Sequence, residues 1–144
     1  MPFGDVLSFR HVTGGDTVEV GPIALTFFPS VHTVPTVSVR AEAEGRVLAY
    51  SADSAGGPDL EACARSADLF LCEATWQGTA ADHVAGLHLT ASDAAALAAR
   101  AGVGRLLLTH LWPTLDRARS REEAAAEFEG SLDLAEDQAV WAVA

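Results

Sequence analysis

The chain has 144 residues, 49% of them hydrophobic, and sets 20 acidic side chains against nine basic ones, all arginine, for a net charge of -11. That length and apolar content fit one domain, residues 1–144, with a real core, and they argue against disorder; no apolar run approaches the ~20 residues of a membrane span. A field of this sign repels phosphate backbones, so extended nucleic acid is disfavoured as a partner, and with no basic stretch leading an apolar one at the N-terminus the expected location is the cytoplasm.

Met1 to Asp16 carries no periodic pattern and, with Gly4, Gly14 and Gly15, reads as an irregular opening segment in which His11 is a surface residue. Thr17 to Val20 and Ile23 to Phe28 are β-rich runs split by Gly21 and Pro22, a strand, turn and strand. Pro29-Ser30-Val31-His32-Thr33-Val34-Pro35 follows, a histidine held between prolines that restrict the loop. Taken alone, His32 is either a loop histidine bonded to backbone or a ligand. Val37 to Ala43 alternates apolar and polar residues, Glu44-Gly45 turns, and Arg46 to Tyr50 returns as a strand that ends in Ser51-Ala52-Asp53-Ser54. Asp53 therefore lies just past a strand's carboxyl end.

Pro58 to Arg65 reads as a short helix with proline in its first turn, and Asp68 to Cys72 as a buried strand leading into Glu73. Cys63 and Cys72 fit small buried hydrophobes of a reducing compartment rather than a disulfide. Gln77 to Gly86 is a polar loop that contains His83 and runs into His88. Thr90 is a candidate N-cap with Asp93 three residues on; Ala94, Leu97, Ala98 and Ala101 repeat at helical spacing, and Gly102 is a natural stop. Leu106 to Leu108 is an apolar strand with His110 at its end. An arginine-rich turn, a helix opened by a capping box from Ser120 to Glu123, and closing strands at Leu132 to Leu134 and Ala139 to Val143 complete the chain.

Hairpins followed by alternating strands and helices predict an α/β protein, bordering on α+β, whose mixed sheet carries helices on at least one face. His32, Asp53, Glu73, His88 and His110 all fall at strand ends or helix starts, where open α/β sheets build their sites. Histidine and carboxylate without thiolate suit zinc, manganese or iron. The spacing contains no HxH, HExxH or cysteine pair, so on spacing alone an α/β domain with merely structural histidines remains an open alternative.

The succession ALTFFPSVHTVPTVSVRAE, VLAYSADSA, LFLCEATW, LHLTASDAAALAARAGV and LLLTHLWP resembles the C-terminal half of a metallo-β-lactamase-fold phosphodiesterase. The branch it is similar to contains ribonuclease Z and the atypical bacterial cyclic-nucleotide phosphodiesterases. The resemblance implies one sheet and one helix layer of an αββα sandwich. It makes His32, Asp53 and His110 metal ligands, with Asp53 bridging two ions, zinc expected and manganese or iron possible. It gives His88 the role of stabilising the phosphorane or protonating the leaving oxygen, and makes Glu73 the carboxylate that orients it.

Two departures stand out. Ala52-Asp53-Ser54 replaces the family's Gly-Asp-Thr, and if that position needs positive φ, alanine costs energy there. The family's HxHxDH motif is absent, so three ligand positions would be shared between two metal sites. The implied function is a metal-dependent phosphodiester hydrolase, weak or inactive as this truncated chain. A small substrate such as a cyclic nucleotide is favoured, because the twenty residues between His32 and Asp53 leave no room for an arm that grips transfer RNA.

The alternative is a non-catalytic half-fold that pairs through a bare sheet, as a homodimer or with a partner in place of the N-terminal half. Thioester or lactam hydrolysis ranks lower, because Glu73 and the His88 helix belong to the phosphodiesterase pattern. A doubly wound nucleotide-binding domain ranks last, since no glycine-rich phosphate loop follows any strand.

Overall fold

A computed structural model of the chain describes residues 8–144; the first part of the opening segment, residues 1–7, lies outside the described residues. Seven strands form one sheet in strict chain order: β1 (Thr17–Val20), β2 (Ile23–Pro29), β3 (Val37–Ala43), β4 (Arg46–Tyr50), β5 (Leu69–Glu73), β6 (Arg105–Thr109) and β7 (Ser131–Leu134). The first four pair antiparallel and the last four parallel, β4 belonging to both sets. The β3–β4 turn holds both central residues at positive φ, 53° at Glu44 and 74° at Gly45, the geometry whose twist matches a two-residue hairpin.

Each parallel step is made by a helix: α1 (Pro58–Ala64), α2 (Ala91–Ala101) and α3 (Arg117–Ala125). Helix α2 starts where the sequence says it should, with the Thr90 hydroxyl accepting from the Asp93 N–H, and stops at Gly102 in left-handed backbone. No helix among the described residues is long and apolar enough to cross a membrane.

All three helices lie on one side of the sheet. Ala49, Phe70, Cys72, Leu106, Leu108 and Leu132 point to that side and form one core with Leu60, Cys63, Ala64, Leu97 and the alanines of α2. Both cysteines are buried free thiols, and burial pushes Cys63 up to about 12, which makes it inert at neutral pH. The alternate strand residues face away: Val39, Tyr50, Leu71 and Leu107 stand opposite one another across four strands, with Tyr50 39% exposed and Leu107 buried.

Two expectations for the C-terminal third fail. The cap of α3 is Asp116, which accepts from the Ala118 N–H. Ser120 lies inside the helix, buried, with its hydroxyl accepting from Gln77, while Glu123 accepts from the Gly78 N–H. The Ser-x-x-Glu pattern thus serves a tertiary contact, and the capping box sits instead at Thr79 and Asp82, around a single 3-10 turn at Ala80–Asp82. Ala139 to Val143 pairs with no strand among the described residues. That segment turns back so that Trp141 lies 6.0 Å from the Arg105 guanidinium, and Val140 is left exposed.

Candidate metal and catalytic centre

Parallel strands end together, so the loops leaving β4, β5 and β6 meet above one edge of the sheet, and the β2–β3 loop reaches the same place. Two bonds tie the first pair of loops together. The Ser30 hydroxyl donates to the Asp53 carbonyl at 2.9 Å, and the Ala55 N–H donates to the Val31 carbonyl at 2.8 Å. Ala52 has φ of 50°, a left-handed conformation that is costly for alanine and free for the glycine of the resembled pattern. The backbone reversal there leaves the Asp53 side chain 42% exposed and facing two histidines.

Glu73 is the centre of the wiring. Its side chain is 1% exposed, and both oxygens are occupied. Oε1 accepts from the Ser54 N–H at 2.8 Å and from His88 Nδ1 at 2.7 Å; Oε2 accepts from the Thr75 hydroxyl at 3.0 Å and from the Thr75 and Leu89 N–H groups at 3.2 and 3.3 Å. Burying a carboxylate is costly unless its lone pairs find donors, and here five donors meet it. Through them one residue fixes the Asp53 loop, the His88 loop and, by way of Thr75, His110.

The ring orientations follow from these partners. His32 Nδ1 lies 2.8 Å from the Leu87 carbonyl, which can only accept, so Nδ1 carries the proton and Nε2 faces Asp53 Oδ2 at 3.9 Å. The two readings of His32 are therefore compatible: one nitrogen bonds to backbone while the other is left for a ligand role. Thr75 donates to Glu73, so its oxygen accepts from His110 Nδ1 at 2.8 Å. His110 itself sits at φ of 54° at the end of β6, with Nδ1 3.7 Å from Asp53 Oδ1. Burial, and then the charges of Asp53 and Glu73, raise the Tyr50 hydroxyl above its ordinary range.

All five residues anticipated from the sequence thus come together. His88 stands between His32 and His110, with ring centroids 5.2 Å away on each side. Asp53, His88 and His110 each offer one ligand atom within 4.8 Å of the others. Two ligands bonded to one ion at ~2.0–2.2 Å cannot be more than about 4.4 Å apart, so the 3.9 Å separation of His32 Nε2 from Asp53 Oδ2 suits a shared ion and is too long for a hydrogen bond, while His110, its Nδ1 given to Thr75, has Nε2 left for a ligand role. Imidazoles oriented by carboxylate, carbonyl or hydroxyl partners, beside an outward carboxylate, form a donor set that fits a divalent transition metal.

Sequence reasoning missed Thr75 and Trp76. Glu73 and Thr75 are two apart on extended chain and so share a side, a signal that was available. Trp76 gave none: it stacks on His83, 4.8 Å between centroids and 7° between planes, and meets the edge of His88 at 5.9 Å. His83 bonds to the Gln77 carbonyl and stays outside the ligand cluster, and His11 is exposed, as expected.

Residues 4–111 match the family model described as the β-lactamase superfamily domain. An uncharacterized protein of Mycobacterium tuberculosis is 39% identical over 131 residues, covering 89% of this chain and 47% of that protein. The Bacillus subtilis protein YhfI, described as a probable metallo-hydrolase, is 31% identical over 124 residues. Its crystal structure, described as a metallo-β-lactamase fold protein, superposes with a TM-score of 0.82 at 26% identity, over 90% of this chain and 54% of that one. Ribonuclease Z of Methanopyrus kandleri is 29% identical over 162 residues, 86% of this chain and 56% of that protein. The chain spans about half the length of these relatives.

Proposed function

The chain belongs to the β-lactamase superfamily, and from that premise we propose that it forms one wall of a metal-dependent phosphodiester hydrolase acting on a small phosphodiester, of the size of a cyclic nucleotide. The observation that carries this reading is the buried Glu73–His88 pair standing beside Asp53 and His110. His32, Asp53 and His110 would hold the metal, zinc or alternatively manganese or iron. When bound, the metal supplies positive charge that polarises a phosphoryl oxygen and favours a nucleophile at neutral pH. Glu73 holds the Nδ1 proton of His88, which leaves Nε2 as the atom that stabilises the reacting phosphate or hands a proton to the leaving oxygen. A small substrate is supported by the two-residue β3–β4 turn, which carries no arm, and by the net charge of -11.

The geometry also puts a His88 nitrogen within an ion's reach, and substitution separates the two roles. As proton donor, His88→Ala keeps the metal and loses turnover; as ligand, it loses both. The overall test is release of nitrophenolate from bis(p-nitrophenyl) phosphate with zinc or manganese added, expected to require His110. Absence of turnover with every divalent metal tried, and with a relative's HxHxDH-bearing half supplied, would overturn the reading.

The uncovered side of the sheet supports a second reading. Tyr50 is 39% exposed and its face neighbours Val39 and Leu71 are only part-buried, the kind of apolar face that pairs with a second sheet from another copy or a partner. Light scattering decides it: a strictly monomeric folded chain excludes the homodimer.

A further inference from the structure

Next to the centre, a cleft of about 360 Å³ runs from His88 along α2 to Arg100. It is not part of the ligand cluster, but His88 lines both. Its volume lies in the range of small-molecule sites. Its lining includes the stacked Trp76 and His83 rings, Val84, Gly57 and Ala96 of α2. These surfaces are flat or small, which suits the faces of a planar ring.

The far end is different. Arg100 donates Nε to Glu61 Oε2 at 3.0 Å, and this ion pair between α2 and α1 fixes the guanidinium plane while its terminal amines make no hydrogen bond among the described residues. They are free to donate to an acceptor edge. The Trp76 indole N–H adds an unmet buried donor on the side chain that forms the aromatic wall.

We propose that this cleft is the subsite for the substrate's planar heteroaromatic part, a nucleobase, with its faces between the Trp76–His83 wall and Ala96 and its acceptor edge toward Arg100. A nucleobase is the class of group that combines apolar faces with an acceptor edge, and Arg100 is the lone cation in the lining apart from histidine. The proposal rests on the phosphodiesterase reading, and it adds to that reading a site for the part of the substrate that does not react.

The experiment is an amide NMR titration of the metal-free chain with adenosine, guanosine and, as a control lacking the base, ribose 5-phosphate. A nucleoside is expected to shift Val84, Ala96 and Leu97 saturably, and ribose 5-phosphate to leave them unmoved. Ala96→Phe, which fills the cleft from a partly exposed helix position, is expected to weaken nucleoside binding at least ten-fold. Arg100→Ala is expected to weaken it as well, a second readout that does not depend on tolerating a larger side chain. Nucleoside shifts confined to exposed Trp112, or no shift in the cleft, overturn the proposal. Because binding here needs neither metal nor turnover, its absence leaves the hydrolase reading standing, whereas nucleoside binding without metal-dependent hydrolysis, with a relative's HxHxDH-bearing half supplied, overturns that reading and leaves the cleft as a nucleobase site.

Discussion

Two pairs of residues stand side by side at the edge of the sheet and are built in opposite ways. Glu73 and His88 are 1% and 12% exposed, and their carboxylate–imidazole bond is 2.7 Å; Asp53 and His110 are 42% and 48% exposed, and sit 3.7 Å apart with no hydrogen bond between them. The first pair is complete within the protein. The second pair is half-exposed, and its carboxylate and imidazole are not joined to each other. Stability and metal affinity should therefore map to different residues although those residues are neighbours.

The sharpest way to break that contrast is Glu73→Ala. It leaves the Ser54, Thr75 and Leu89 donors and His88 without a partner in a dry site, so the expected loss is about 3–5 kcal/mol of folding free energy, read from urea unfolding. A loss below about 1 kcal/mol would show that the buried pair is not the structural hub. Asp53→Ala and His110→Ala should do the reverse. Zinc affinity measured by calorimetry is expected to fall ten-fold or more, while the unfolding free energy from urea changes by the ~0.5 kcal/mol of a surface substitution.

Ala52→Gly sharpens the boundary between the pairs. Glycine relieves the 50° φ that turns Asp53 outward, with an expected gain of about 1 kcal/mol seen as a higher melting temperature and unchanged zinc binding. The smallest effect is expected at the opposite end of the sheet. There the Val47 N–H, and secondarily Arg46, holds Asp68 below the ordinary carboxylate range. A lowered folded pKa stabilises above the unfolded value, and that contribution disappears as pH falls through the folded one. Asp68→Asn should therefore flatten the acid side of the stability profile without touching the metal site.

Much of this was legible in the residues. Glu44-Gly45 set the hairpin, Thr90 and Gly102 bracketed α2, and the apolar runs at Leu69 and Leu106 placed the strands whose ends carry Glu73 and His110. The warning about Ala52 came from the family resemblance, whose pattern has glycine there, and the left-handed backbone at Ala52 meets its condition. What was not legible depends on partners distant in the chain. Ser120 and Glu123 read as a cap because the pattern is local, but Gln77 and Gly78 claim them. Ala139 to Val143 has strand-like composition and no strand to pair with. The Trp76–His83 stack requires a loop to fold back on itself, which no periodicity announces.

The strict strand order has a kinetic consequence. Every strand pairs with the one just before it in the chain, so the antiparallel half can grow by short loop closures from the first hairpin onward, whereas each parallel pair must wait for a closure through a helix, as Leu69 opposite Arg105 shows. Each histidine of the centre arrives with a different segment, the last with β6. The binding edge should therefore be among the last features to acquire native structure, and with Trp112→Phe and Trp141→Phe in place stopped-flow fluorescence from Trp76 should lag behind the backbone signal of the hairpins.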